Sequence, residues 1–172
     1  MPVIDTHATK SGSISATTIR NNSYTPILSQ EAKNIQSELL GVSKRDTNAI
    51  GAIGERLADI YFKENGFIQL PSKCGSQCID SLYFKNGEFY AVEVKTTTNP
   101  KGVKVNLSNT VANGMQMDDT WIRYSAERLI NQPETFDTGT RLLEGMSNNT
   151  VNKVIFAVSP TEVKILNLGK GK

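Results

Sequence analysis

Three side chains in the middle of the chain, Asp80, Glu93 and Lys95, are of the types needed for metal-assisted phosphate chemistry. Carboxylate oxygens are the ligands that hard cations such as Mg²⁺ prefer, and a bound cation lowers the pKa of a coordinated water. An ammonium group beside such a site stabilises negative charge as it develops on a phosphate. These residues are therefore candidates for a divalent-cation site, provided that the fold brings them together.

An Asn-Gly pair predicts a hairpin that brings Asp80, Glu93 and Lys95 together. Asn86 and Gly87 lie between two aromatic, β-rich runs, and they favour a type I′ hairpin turn because both central residues of that turn need positive φ. Counting outward from the turn puts Asp80 opposite Glu93, with their Cβ atoms roughly 5 Å apart. Side chains alternate along a strand, so Lys95 is predicted on the same face of the sheet as Glu93.

Directly opposed carboxylates repel each other, and a cation between them removes the repulsion. We therefore interpret Asp80 and Glu93 as ligands of Mg²⁺, with Mn²⁺ or Zn²⁺ as alternatives. The competing interpretation is a pair of solvated carboxylates on an exposed face, with Lys95 as an ordinary surface neighbour.

The composition is that of an ordinary soluble chain, long enough for one domain with a core. The sequence has 172 residues, of which 38% are hydrophobic, and a formal net charge of +2. It contains neither an apolar run long enough to span a bilayer nor a signal-peptide pattern, so we expect a soluble protein. The small net charge does not by itself indicate a nucleic-acid ligand.

The two cysteines, Cys74 and Cys78, do not predict a structural zinc site. Zinc needs about four ligands, and the single histidine, His7, is remote in sequence. We expect two free thiols, with a disulfide as the alternative if the protein meets an oxidising compartment.

Positive charge is concentrated after the predicted hairpin, because no acidic residue occurs between Glu93 and Asp118. Hydroxyl and cationic side chains there and in the following helix could bind phosphate oxygens. The predicted nucleic-acid contacts are Thr96, Thr97, Lys101, Lys104 and Arg123.

The elements around the hairpin are predicted from periodicity and capping. Residues 1–46 are expected to form an N-terminal extension or linker, with one short helix from the N-cap Ser29 to residue 40. A helix with an apolar stripe begins at Thr47; it carries Gly54, which indicates close packing, followed by Glu55. Further strands are predicted over residues 67–70, 103–107, 151–158 and 162–168, and further helices near Asp118 and over residues 140–146.

This order of elements resembles the PD-(D/E)XK nuclease superfamily, which has the restriction-endonuclease-like fold. The matching residues are Gly54-Glu55 on the first core helix, Ile79-Asp80, and Val92-Glu93-Val94-Lys95. Ile79 stands where the family usually has proline. The segment from Gln116 to Ile122 also looks like a segment of nuclease domains in bacterial polymorphic and contact-dependent growth inhibition toxins.

The resemblance implies an α/β (α+β) fold with a central mixed sheet, flanked by helices, and a nuclease domain over residues 47–172. It implies a metal-dependent endonuclease with Glu55, Asp80 and Glu93 as metal ligands, Lys95 as the catalytic lysine and Gln116 as a further catalytic residue. DNA is favoured over transfer RNA as substrate. The implied role is an antibacterial toxin, part of a larger exported protein and active in the cytoplasm of the target cell, with a cognate immunity protein as partner.

Three alternatives remain at this point. The chain could be a transfer-RNA-cleaving toxin of the same fold, or a restriction or DNA-repair endonuclease. It could also be a non-catalytic domain that binds nucleic acid or a protein partner. The four residues Glu55, Asp80, Glu93 and Lys95 together argue against the last alternative, because a domain without catalysis does not need opposed acids.

Overall fold

A computed structural model of the chain describes residues 13–110 and 114–172. His7 lies outside these residues, as does the start of the predicted N-terminal extension. The first described elements are β1 (Ser13–Ile14), α1 (Ala16–Asn22), α2 (Gln30–Ser37), a 3₁₀ turn (Glu38–Leu40) and α3 (Thr47–Glu64). The strands β2 (Ile68–Leu70), β3 (Ser81–Lys85) and β4 (Glu88–Thr96) follow.

The second half contains three two-residue strands, β5 (Val105–Asn106), β6 (Asn109–Thr110) and β7 (Gly114–Met115). It continues with α4 (Asp119–Ile130), a 3₁₀ turn (Pro133–Thr135) and α5 (Phe136–Ser147), and ends with β8 (Val151–Val158) and β9 (Val163–Gly171). Five strands form one mixed sheet in the order β2-β3-β4-β8-β9. Within it β4 and β8 are parallel and the other pairs are antiparallel. The fold is therefore of the mixed α and β class, as predicted.

The hairpin has the predicted turn and register. Asn86 and Gly87 have φ of 52° and 80°, as a type I′ turn requires. Phe84 pairs with Phe89, and the ladder continues to Ser81 opposite Val92. The predicted pairing is therefore confirmed over the whole of β3.

The sheet separates two apolar clusters because side chains alternate along its strands. One cluster packs against α4 and α5 and includes Leu82, Ala91 and Trp121. The other packs against α2 and α3 and includes Val92 and Leu57. Trp121 is only 2% exposed and is one of the largest side chains of the core.

The described part of the N-terminal segment packs into this core. The predicted helix after Ser29 is present as α2 and the following 3₁₀ turn, and the Ser29 hydroxyl accepts a hydrogen bond from the Ala32 N–H. Ile35 and Leu39 are buried. Both side chains belong to the cluster on the face of the sheet that carries α3, whereas Ile14 and Ile19 belong to the cluster on the other face.

Two other segments differ from the sequence predictions. The strand predicted over residues 103–107 is reduced to β5, which pairs with β1. The helix predicted over residues 140–146 begins earlier, at Phe136, because the 3₁₀ turn that starts at Pro133 leads directly into it. By contrast, α4 begins as predicted, with Asp118 accepting a hydrogen bond from the Trp121 N–H.

Cys74 and Cys78 form a disulfide, with their Cα atoms 5.9 Å apart. The expectation of two free thiols is therefore wrong, and the alternative applies. The sequence could not decide this point, because four-residue spacing in a loop is compatible with both states. Among the described residues, no helix is both long enough and apolar enough to cross a membrane.

Candidate active site

The predicted acids meet at the carboxyl-terminal half of β4. Glu93 lies on the strand facing the cluster that contains α4, and the residue is only 4% exposed. Lys95 is two residues further along the same face, and its Nζ is 3.4 Å from Glu93 Oε1. The carboxylate and the ammonium are held together by the period of the strand, as the alternation predicts.

Asp80 completes this group from the neighbouring strand. It lies one residue before β3, outside the hydrogen-bonded ladder, which ends at Ser81 opposite Val92. Its Oδ2 accepts a hydrogen bond of 2.9 Å from the backbone N–H of Val94. This contact fixes the carboxyl group beside β4, where its negative charge acts on the Glu93 carboxyl and raises its pKa.

Gln116 joins the site from the loop after β7. Its amide Nε2 donates to Glu93 Oε1, while its Oε1 accepts a hydrogen bond of 3.0 Å from Lys95 Nζ. The same Oε1 also accepts from the Ser108 backbone N–H at 3.3 Å. Gln116, which is 21 residues beyond Lys95 in sequence, therefore bridges Glu93 and Lys95 and fixes their relative position.

The electrostatics of the site oppose ionisation of its acids. Burial, followed by the negative charge of Asp80, raises the pKa of Glu93 to about 8, although Lys95 acts in the opposite direction. Desolvation also raises the pKa of Asp80, despite the hydrogen bond from the Val94 N–H. Burial and the charge of Asp80 both favour the protonated form of Glu93 in the metal-free protein, and a cation bound there would displace that proton.

Glu55 approaches the pair from α3. Its side chain is exposed, and desolvation and the charge of Asp80 both raise its pKa. Glu55 and Asp80 line one groove of about 840 Å³, which runs between α3 and the loop that contains the disulfide. Glu55 also lines a second hollow of about 320 Å³, together with Lys95 and Thr96.

The donor set suits a hard cation at Asp80 and Glu93. Glu93 Oε2 is buried and has no hydrogen-bond partner among the described residues, which is the environment expected of an oxygen reserved for a ligand. Across residues 13–110 and 114–172 no three histidine, cysteine or acidic side chains are grouped closely enough to hold a metal ion, and the role of Glu55 as a third ligand stays a prediction. Two carboxylates suffice for Mg²⁺, which usually retains several waters.

The residues predicted to contact phosphate differ in their position relative to the candidate site. Lys101 and Lys104 are exposed on the loop after β4, and Thr97 follows Lys95 closely, with its backbone N–H donating to Val158. The hydroxyl of Thr96 is instead buried and faces α3, so in this conformation it does not reach a phosphate. 

Arg123 does not belong to this end of the sheet. It donates a hydrogen bond from Nε to the carbonyl of Lys172, next to the residue of β9 that pairs with Val151. Val151 in turn pairs with Phe89, at the start of β4. The structure therefore does not bring Arg123 together with Lys95 and the acids, because helical position alone does not say which end of the sheet a side chain approaches.

Residues 71–78 form one wall of the groove, and none of the site residues predicted from the sequence lies among them. Lys73 lines this groove, and the loop is held to α4 by a hydrogen bond of 2.7 Å from Arg128 to the carbonyl of Ser76. Their position in the chain could have indicated this wall, since the loop leads directly into Asp80.

Comparison of the chain with protein-family models, with curated proteins and with solved structures finds no match.

Proposed function

We propose that this chain is a metal-dependent endonuclease that hydrolyses phosphodiester bonds in nucleic acid. The observation that carries the proposal is the buried Glu93 carboxylate, one oxygen of which has no partner among the described residues, directly beside Asp80. Lys95 and Gln116 contact the other oxygen. Burying an acid at such an electrostatic cost is typical of functional sites rather than of stabilising surface pairs.

Asp80 and Glu93 would hold Mg²⁺ or Mn²⁺, which supplies a water of lowered pKa and polarises the phosphate. Gln116 holds Lys95 in place, so the ammonium is positioned to stabilise negative charge on the phosphate being attacked. Glu55 lines the groove beside Asp80 and would orient the attacking water from the side of α3. Each of the five residues predicted from the sequence thus has a task in this proposal, with Asp80 and Glu93 sharing the task of holding the metal.

The sheet order and the placement of the acids are compatible with the restriction-endonuclease-like core. A helix that carries Glu55 packs on a mixed sheet whose central hairpin carries the remaining acids and Lys95. We propose this core as the fold family of the chain, on the strength of this arrangement and of the sequence motifs.

For the substrate we favour DNA over transfer RNA, and for the biological role an antibacterial toxin with an immunity protein as partner. The disulfide supports the toxin role, because disulfides persist mainly in proteins that pass through oxidising compartments. In such a role the chain would be delivered as part of a larger exported protein and act in the cytoplasm of the target cell.

The experiment is a cleavage assay with the purified chain on supercoiled plasmid DNA and, in parallel, on transfer RNA, with Mg²⁺, Mn²⁺ or EDTA. We expect nicking or linearisation of the plasmid with either metal and none with EDTA. Cleavage in EDTA would exclude the metal mechanism, whereas cleavage of transfer RNA alone would change the substrate. Induced expression in bacteria should stop growth; harmless expression of an active enzyme would favour a restriction or repair role.

A further inference from the structure

The groove of about 840 Å³ is continuous with the proposed cleavage centre, because Glu55 and Asp80 belong to its lining. One side is α3, and the other is the loop of residues 71–78. The loop is closed by the disulfide between Cys74 and Cys78, and it accepts hydrogen bonds from Arg128 of α4 and from Gln132, just after that helix. Its wall is thus braced at several points before any ligand binds, which reduces the entropy lost on binding.

The charged side chains of the groove differ in whether they are free to bind a ligand. Arg56 forms an ion pair of 3.0 Å with Glu38. Asp59 is paired with Lys63 at 2.8 Å and accepts a hydrogen bond from Tyr83.

Lys73 differs from these two residues. It is exposed, and its ammonium group makes no hydrogen bond or ion pair with any described residue. A cation without a partner, in a groove that leads to two acids proposed to hold a metal, fits an anionic ligand that extends beyond the metal.

We propose that this groove binds the nucleic-acid strand next to the scissile phosphodiester and that Lys73 contacts a neighbouring phosphate. This inference rests on the proposed nuclease function. Lys73 would act in binding, through a phosphate that is not cut, rather than in the chemical step. Its contribution is independent of base sequence, because phosphate contacts carry no direct sequence information.

The test is equilibrium binding of a fluorescein-labelled 20-nucleotide DNA, single-stranded or duplex, followed by anisotropy in EDTA at several salt concentrations. Lys73→Ala should weaken binding about fivefold at low salt, and the slope of log K against log salt should fall by about 0.9, the amount expected for one phosphate contact. Lys73→Arg should restore most of the affinity. Lys33→Ala, which removes the same charge from the exposed face of α2, is the matched control and should bind as the wild type does.

Equal affinity and equal salt slope for Lys73→Ala and Lys33→Ala would overturn the assignment. If the wild type cuts plasmid DNA while the two variants bind alike, the subsite is wrong and the nuclease function stands. If the wild type does not cut but Lys73→Ala alone loses affinity and slope, the groove binds nucleic acid and the proposed hydrolysis is wrong. Thermal unfolding by circular dichroism should be the same for all variants, because the Lys73 side chain is exposed and unpartnered among the described residues.

Discussion

The two ends of β4 each carry a glutamate in contact with a lysine, and the two pairs behave in opposite ways. At the turn end, Glu88 contacts Lys170, and both side chains are partly exposed, by 38% and 33%. At the other end, the side chains of Glu93 and Lys95 are exposed by 5% and 24%. Lys170 holds the pKa of Glu88 below its ordinary value, whereas burial raises the pKa of Glu93 to about 8.

The difference shows that an ion pair alone does not determine the charge of a carboxylate. Glu88 keeps access to water, so its ionised form is stabilised by Lys170 at little cost. Glu93 is buried and has Asp80 beside it, and the attraction to Lys95 does not compensate for both effects. One end of the strand therefore stabilises the fold, and the other end retains an unfavourable charge environment that suits a ligand.

The largest effect is expected from Asp80→Asn in the cleavage assay. The substitution preserves size and one oxygen but removes the negative charge that the metal needs, so activity should fall about a thousandfold or more. Glu88→Gln is the matched control at the other end of β4 and should cut as the wild type does. Full activity of Asp80→Asn would remove this residue from the site.

The packing that holds the functional end of β4 can be tested at Gly54. A Cβ atom added there would overlap the hydroxyl of Thr96, so Gly54→Ala should destabilise the protein by about 2 kcal/mol. Gly51→Ala is the control on the same helix: its Cβ meets no atom within 4 Å, and its better helix propensity should stabilise the protein by up to about 1 kcal/mol. Urea unfolding measures both; equal effects of the two substitutions would contradict the close contact.

The pH dependence of stability should distinguish the two glutamates. The pKa of Glu93 is higher in the folded protein than its ordinary value of 4.5, so the metal-free protein loses stability as the pH rises toward and through about 8. Glu93→Gln removes this ionisation and should flatten the profile. At pH 9 the free energy of unfolding of this variant should rise, relative to the wild type, by an amount on the order of 2 kcal/mol. Chemical unfolding from pH 5 to 9 in EDTA measures this; parallel profiles for the two proteins would contradict it.

The smallest effect is expected at the exposed pair. The pKa of Glu88 is lowered by Lys170, so its contribution is present above the ordinary value of 4.5 and is lost as the pH falls below it. Because both side chains are partly exposed and screened, Glu88→Gln should cost less than about 1 kcal/mol at pH 7 and still less at pH 3. Denaturant midpoints of the wild type and the variant at the two pH values measure this. A larger loss of stability at pH 3 than at pH 7 would contradict a lowered pKa of Glu88.

The local features of the chain could be predicted from its sequence. The register of the hairpin followed from Asn86 and Gly87, and the cap of α4 followed from Asp118, because these are local rules. Contacts between residues that are far apart in the sequence could not be predicted in this way. The bridge that Gln116 makes between Glu93 and Lys95 depends on three two-residue strands, which have no periodicity to detect.

The groove was not predicted for a similar reason. It depends on a disulfide and on hydrogen bonds from α4 to a loop, for example that from Arg128 to the carbonyl of Ser76. Neither follows from the composition of the loop, since the redox state of two cysteines and the docking of a loop are set by the surroundings. The sequence identified the acids correctly as neighbours but not the surface through which a ligand would reach them.

The most direct test of the account is titration calorimetry of the purified chain with Mn²⁺ and with Mg²⁺ at pH 7, in two buffers of different ionisation enthalpy. We predict uptake of a cation by the wild type with release of a proton, because Glu93 must ionise to bind it, and loss of this uptake in both Asp80→Asn and Glu93→Gln. No uptake by the wild type, or uptake by either variant equal to that of the wild type, would contradict the claim that these two carboxylates form a cation site.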